Sequence, residues 1–136
     1  MSLFGWGVGD IIAVSQLAMK VYTVYKDAPD EYRHISEEVR SLQIIIDGAI
    51  HYFKGGTLSD NKQREGQEVL QGCQSVLEEL ESLIEKYQSI ASGKKWQFFK
   101  KVKFGNYDIM AIRIRLTSNT SLLTNFIRRS VLAFAI

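Results

Sequence analysis

Apolar residues recur three and four positions apart in four separate stretches of the chain, and no stretch sustains a period of two. Such spacing stacks side chains along one face of a helix, whereas a half-buried strand requires alternation. The first stretch runs through Ile11, Ile12, Val14, Leu17, Ala18, Val21, Val24 and Tyr25, with Asp10 placed to begin or cap it. It ends before Pro29, the only proline, because the residue preceding a proline is pushed out of the helical region. Pro29, Asp30 and Glu31 suit the first turn of a second helix, where a missing N–H costs nothing and acids favour the dipole. That helix carries Tyr32, Ile35, Val39, Leu42, Ile46, Ala49 and Phe53, a continuous apolar seam.

Gly55, Gly56, Ser59, Asp60 and Asn61 mark a loop. The third helix places Val69, Cys73, Val76, Leu80, Leu83, Tyr87 and Ile90 on one stripe, widened by Leu77 and Ile84, and stops at Ser92 and Gly93. Residues 94–104 form a short basic-aromatic piece of one or two turns, closed by Gly105 and Asn106. A last helix over residues 107–130 turns Ile109, Ile112, Leu116, Leu123, Phe126 and Ile127 inward. The pattern predicts an all-α fold: a four-helix up-down bundle with an extra short basic-aromatic helix before the last long one.

A chain of 136 residues is one domain in size and buries enough surface for its own core. The single cysteine, Cys73, forms no intrachain disulfide and suits a reducing compartment; on the apolar stripe it reads as a buried inert thiol. His34 and His51 lie 17 residues apart, and with one cysteine they are too few for a His/Cys metal cluster. Gly5, Gly7 and Gly9 lack the spacing and the lysine of a phosphate loop. Glu78, Glu79 and Glu81 have no evident acid or base partner, and no nucleophile, base and orienting group can be assembled. The expectation is a protein that is not an enzyme, with no cofactor, metal, small-molecule substrate or nucleic-acid partner.

Charge is unevenly spread. Residues 1–93 carry eight Lys/Arg against fourteen Asp/Glu, a balance of −6, and residues 94–136 carry nine Lys/Arg against Asp108 alone, a balance of +8. Either the two parts pair across helices, or the basic part faces an anionic surface. Residues 94–104 hold five lysines (Lys94, Lys95, Lys100, Lys101, Lys103) and four aromatics including Trp96. The lysines, with Trp96, form the candidate anionic-lipid site, while the aromatics Trp96, Phe99 and Phe104 suit a plug at the end of the bundle.

From Met1 to Met19 the one charge is Asp10, and no basic region precedes the apolar stretch, which disfavours a secretory signal. The uncharged run 11–19 is short for a membrane span, and residues 3–19 are marginal for one. Leu3, Phe4, Gly5, Trp6, Gly9, Ile11 and Ile12 are the candidate membrane-inserting residues. Gly5 and Gly9 form a G-x-x-x-G pair that permits close helix contact in lipid. Thr117, Ser118, Asn119, Thr120 and Ser121 form either a polar face or a place where another helix packs closely. The apolar end, residues 131–136, reads either as a cut from a longer protein or as a helix docking on its own bundle.

Several of these residues carry a resemblance. Phe4 and Gly5, then Val8, Gly9, Asp10, Ile11, Ile12 and Ala13, then Val21, Tyr22, Lys26, Asp27, Ala28 and Pro29, resemble the opening of the fungal HeLo-like N-terminal domain. Trp96, Phe104, Gly105, Asp108, Ile109 and the run 112–123 continue it, so that it covers about residues 1–128. The resemblance implies a helical bundle related to the cell-death domains of the mixed-lineage kinase-like pseudokinase and of plant resistance proteins. It implies the N-terminal effector of a fungal immune-type receptor: cytoplasmic, self-associating, and recruited to the plasma membrane to execute programmed cell death. Its expected partners are copies of itself, anionic membrane and downstream receptor modules. No such module lies within these residues, and the family has no catalytic residues to carry over. The alternative is a homotypic helical protein-interaction or adaptor domain with no membrane activity.

Overall fold

The computed structural model describes residues 8–27, 30–54, 58–88 and 109–135. They form four helices: α1 (Val8–Tyr25), α2 (Asp30–Lys54), α3 (Asp60–Gln88) and α4 (Ile109–Ala135). The described residues hold no strand, and the all-α four-helix bundle expected from the periodicity is what the chain adopts. The extra short helix expected at residues 94–104 lies outside the described residues.

Each helix buries one stripe. Ile11, Val14, Ala18, Val21 and Tyr25 come from α1, and Ile35, Val39, Leu42, Ile46 and Ala49 from α2. α3 contributes Leu70, Cys73, Val76, Leu77, Leu80 and Leu83, and α4 contributes Ile112, Leu116, Leu123 and Phe126. Each buried aliphatic side chain of this size stabilises the fold by about 1.5–3 kcal/mol. Several positions differ from the sequence reading: Ile12 is exposed, and Leu17, Val24, Val69, Ile109 and Ile127 are half-buried against the rim of the core.

Side-chain contacts set the helix directions. Ser15 meets Asp47, and the Arg40 guanidinium lies 5.7 Å from the centre of the Tyr22 ring, so α1 and α2 run antiparallel. Arg115 meets Glu79 and Arg129 meets Glu65, so α3 and α4 are antiparallel too. The helices alternate up and down, but the cyclic order is α1, α2, α4, α3. α2 and α3 therefore occupy one diagonal of the bundle, and α1 and α4 the other. α2 ends at Lys54 and α3 begins at Asp60 although the two helices are diagonal neighbours, a separation that six residues can span.

Local chemistry closes the ends. The Lys62 amide donates to Ser59 Oγ at 3.2 Å, which makes Ser59 the N-cap of α3. Leu58, immediately before it, is buried in the core, so the segment read from sequence as plain loop anchors the helix start.

Candidate functional site

The candidate membrane-inserting residues divide sharply. Leu3, Phe4, Gly5 and Trp6 lie outside the described residues, as do Lys94, Lys95, Trp96, Lys100, Lys101 and Lys103. Gly9 is exposed and a Cβ there would meet nothing within 4 Å. Ile12 is 41% exposed, but Ile11 is buried in the core. Ile11 is thus a packing residue in this state, and any lipid contact by it requires α1 to leave the bundle.

α1 is held by two kinds of contact. Its core stripe packs inward, and at its edge Ser15 Oγ donates to Asp47 Oδ1. Asp47 Oδ2 accepts from Gln43 Nε2 at 2.9 Å, and Gln43 Oε1 accepts in turn from Arg40. Ser15 and Gln43 are buried, so this polar seam meets needs that water does not fill. On the other side, Lys20 pairs with Glu81 of α3 at 2.8 Å, and that hydrogen bond pushes the Lys20 pKa up. Tyr25 Oη donates to the Leu80 carbonyl at 3.4 Å.

Arginines of α4 resolve part of the charge asymmetry. Arg113 pairs with Glu38 of α2 at 2.8 Å, and Arg115 and Arg129 pair with Glu79 and Glu65 of α3. The Glu38 hydrogen bond raises the Arg113 pKa further. Burial alone would raise the Glu65 carboxyl, but the Arg129 and Lys62 contacts outweigh it and hold the pKa below the ordinary value. These arginines neutralise acidic helices rather than stand free for an anionic surface. Isolated surface pairs contribute about 0–1 kcal/mol each, so their larger effect is on register.

Two open grooves line the contact between α2 and α4. One, of about 450 Å³, is lined by Ile45, Gly48, His51, Thr124 and Ile127. The other, of about 480 Å³, is lined by Glu38, Met110, Arg113, Ile114, Thr117 and Ser118. On the far side of α4, Asn119 packs on Gly72, where a Cβ would stand 2.5 Å from Asn119 Oδ1. The small polar run of α4 thus does both things its composition allowed. Asn119 packs closely on α3 at Gly72, which has no side chain to meet it, while Thr117, Ser118 and Ser121 stay exposed.

The Cys73 thiol is fully buried and its pKa is pushed up to about 12, so it stays protonated at neutral pH. Among the described residues no group of three or more His, Cys, Asp or Glu side chains is placed to hold a metal ion. Among them, too, no helix is long and apolar enough to cross a membrane. The two grooves were not legible in the sequence, because they depend on which helices become neighbours. Comparison of the chain with protein-family models, with curated proteins and with solved structures returns no match.

Proposed function

We propose that the chain is a membrane-targeting effector domain of the HeLo-like kind, heading an immune-type receptor and inducing cell death once copies cluster. One observation carries the reading. From Ile11 to Met19, α1 has no charged residue on any face, although Ile12, Ala13, Gln16 and Met19 are exposed. A helix that meets water without charges loses little on transfer to a bilayer interface, since burying a charge is the dominant cost. Asp10 opposes insertion of a lone copy by about 3 kcal/mol, so insertion follows clustering, which lets copies surround that carboxylate. Lys94, Lys95, Lys100, Lys101 and Lys103 supply the attraction to anionic lipid, about 1 kcal/mol for each that reaches the surface. The homotypic adaptor is the second reading, favoured by the uncharged exposed face of α4.

Dye release from anionic vesicles tests the proposal. The full chain releases dye, deletion of residues 1–9 abolishes release, and reversing the five lysines lowers vesicle binding with helicity retained. Full release by the deletion variant would overturn insertion and leave the adaptor reading in its place.

A further inference from the structure

Six large apolar side chains are exposed among the described residues, and five of them lie on α1 and α4: Ile12 and Met19, and Met110, Ile114 and Leu122. These two helices sit at opposite corners of the bundle, so their outer faces point away from one another. On α1 the exposed residues Ile12, Gln16, Met19 and Thr23 follow one another at steps of four, three and four. On α4 the exposed residues Met110, Ile114, Thr117 and Ser121 follow at the same steps. Each set is one straight helical seam, and neither contains a charge. Of the charged residues near them, Lys20 pairs with Glu81, Arg113 with Glu38 and Arg115 with Glu79, while exposed Lys26 and Asp27 lie past the end of the α1 seam and exposed Arg128 past the end of the α4 seam. Thr23 donates its hydroxyl to the Met19 carbonyl at 2.8 Å and so needs no outside partner.

We infer that the α1 seam of one copy docks on the α4 seam of a second copy, head to tail. α1 and α4 run in opposite directions within the bundle, so stacking one copy on the next by translation brings the seams together antiparallel. In that register Met19 faces Ile114, Thr23 faces Met110, Gln16 faces Thr117 and Ile12 faces Ser121. The apolar pair then lies beside the groove that Met110, Ile114 and Thr117 already line, and the Gln16 amide meets a hydroxyl. A charged partner gains nothing from such a surface, and the α1 seam matches it in length, spacing and polarity. The contact uses two different surfaces, so it propagates into a ring or an open row rather than closing as a dimer.

The size of the seam gives the contact its regulation. Eleven residues of helix rise about 17 Å, and at a width of about 10 Å the seam covers on the order of 170 Å². A stable interface buries about 800 Å² on each partner, so free chains stay apart and held ones join. This rests on the clustering step of the function proposed above, and gives it a surface.

Cysteine trapping tests the contact. Met19→Cys and Ile114→Cys are made in separate full-length chains of different tag length, mixed at millimolar concentration and oxidised with copper phenanthroline. Buried Cys73 serves as the inert background. The expected result is a mixed Met19→Cys with Ile114→Cys dimer several-fold above the twofold excess that random pairing gives. Adding Gln16→Arg to the first chain returns it to random. A random distribution, or self-pairing of Ile114→Cys, overturns the docking. So does protection of dilute Ile114→Cys from maleimide by anionic vesicles, which assigns the face to lipid. Dye release in the absence of trapping would sink this contact and leave the membrane reading standing.

Discussion

Gly72 owes its place to what stands opposite. The ideal Cβ position at Gly72 is 2.5 Å from Asn119 Oδ1, and Asn119 Nδ2 donates to the Arg115 carbonyl at 2.8 Å, so the side chain is not free to swing away. Gly72→Ala gains about 1 kcal/mol of helix propensity but meets an overpacking cost of about 1–3 kcal/mol. The expected net effect is destabilisation by about 1 kcal/mol in chemical denaturation. In an Asn119→Ala background the same change becomes stabilising, because the obstruction is gone while the propensity gain remains. Cys73 was readable as inert from its place on the stripe. Gly72 was not, since its role depends on a side chain 47 positions away.

At the level of the element, α1 is held differently from the other helices. Beside its inward stripe of Ile11, Val14, Ala18, Val21 and Tyr25, a partly buried polar seam ties it to α2. Asp47→Ala removes the acceptor for both Ser15 and Gln43 and leaves buried donors unmatched. The expected loss is about 1–3 kcal/mol in urea midpoint analysis. Adding Ser15→Ala restores part of that loss, because both partners at that contact are then gone; no recovery would mean Ser15 contributes nothing to holding α1. The sequence reading placed Leu17 in the core stripe, whereas the structure leaves it half-buried. Val21 is fully buried, so an acid there would be costly.

For the whole molecule, the decisive feature is how the acidic and basic helices are arranged. α4 contacts both acidic helices, and its arginines pair with Glu38, Glu79 and Glu65. The Glu65 carboxyl is held below its ordinary value, so its contribution is fully present above the unfolded pKa and fades as pH falls through the lower folded one. The expected result is that Glu65→Gln is less stable than the parent at pH 7 and that the gap closes below about pH 4, as followed by thermal unfolding. A gap independent of pH would mean the Arg129 contact adds nothing electrostatic. With α2 and α3 on one diagonal, the uncharged seams of α1 and α4 are left pointing in opposite directions.

What the sequence determined by itself was the helical class, the number of long helices and most of the described core stripes of α2 and α3, with Leu70 buried where Val69 was expected; Tyr32, Phe53, Ile84, Tyr87 and Ile90 lie outside the described side chains. Periodicity is a local property, and on those two helices charged residues mark the solvent side plainly. Within α1 and α4 the same reading blurred, because few charges flank their apolar positions, and spacing alone did not say that Ile11 is buried and Ile12 exposed. The diagonal order of the helices, the close approach at Gly72, the acceptor role of Asp47 and the matching seams belong to the tertiary structure alone. Each depends on which helix lies beside which. That choice is made by the summed packing of four faces, and no single stretch of sequence encodes it.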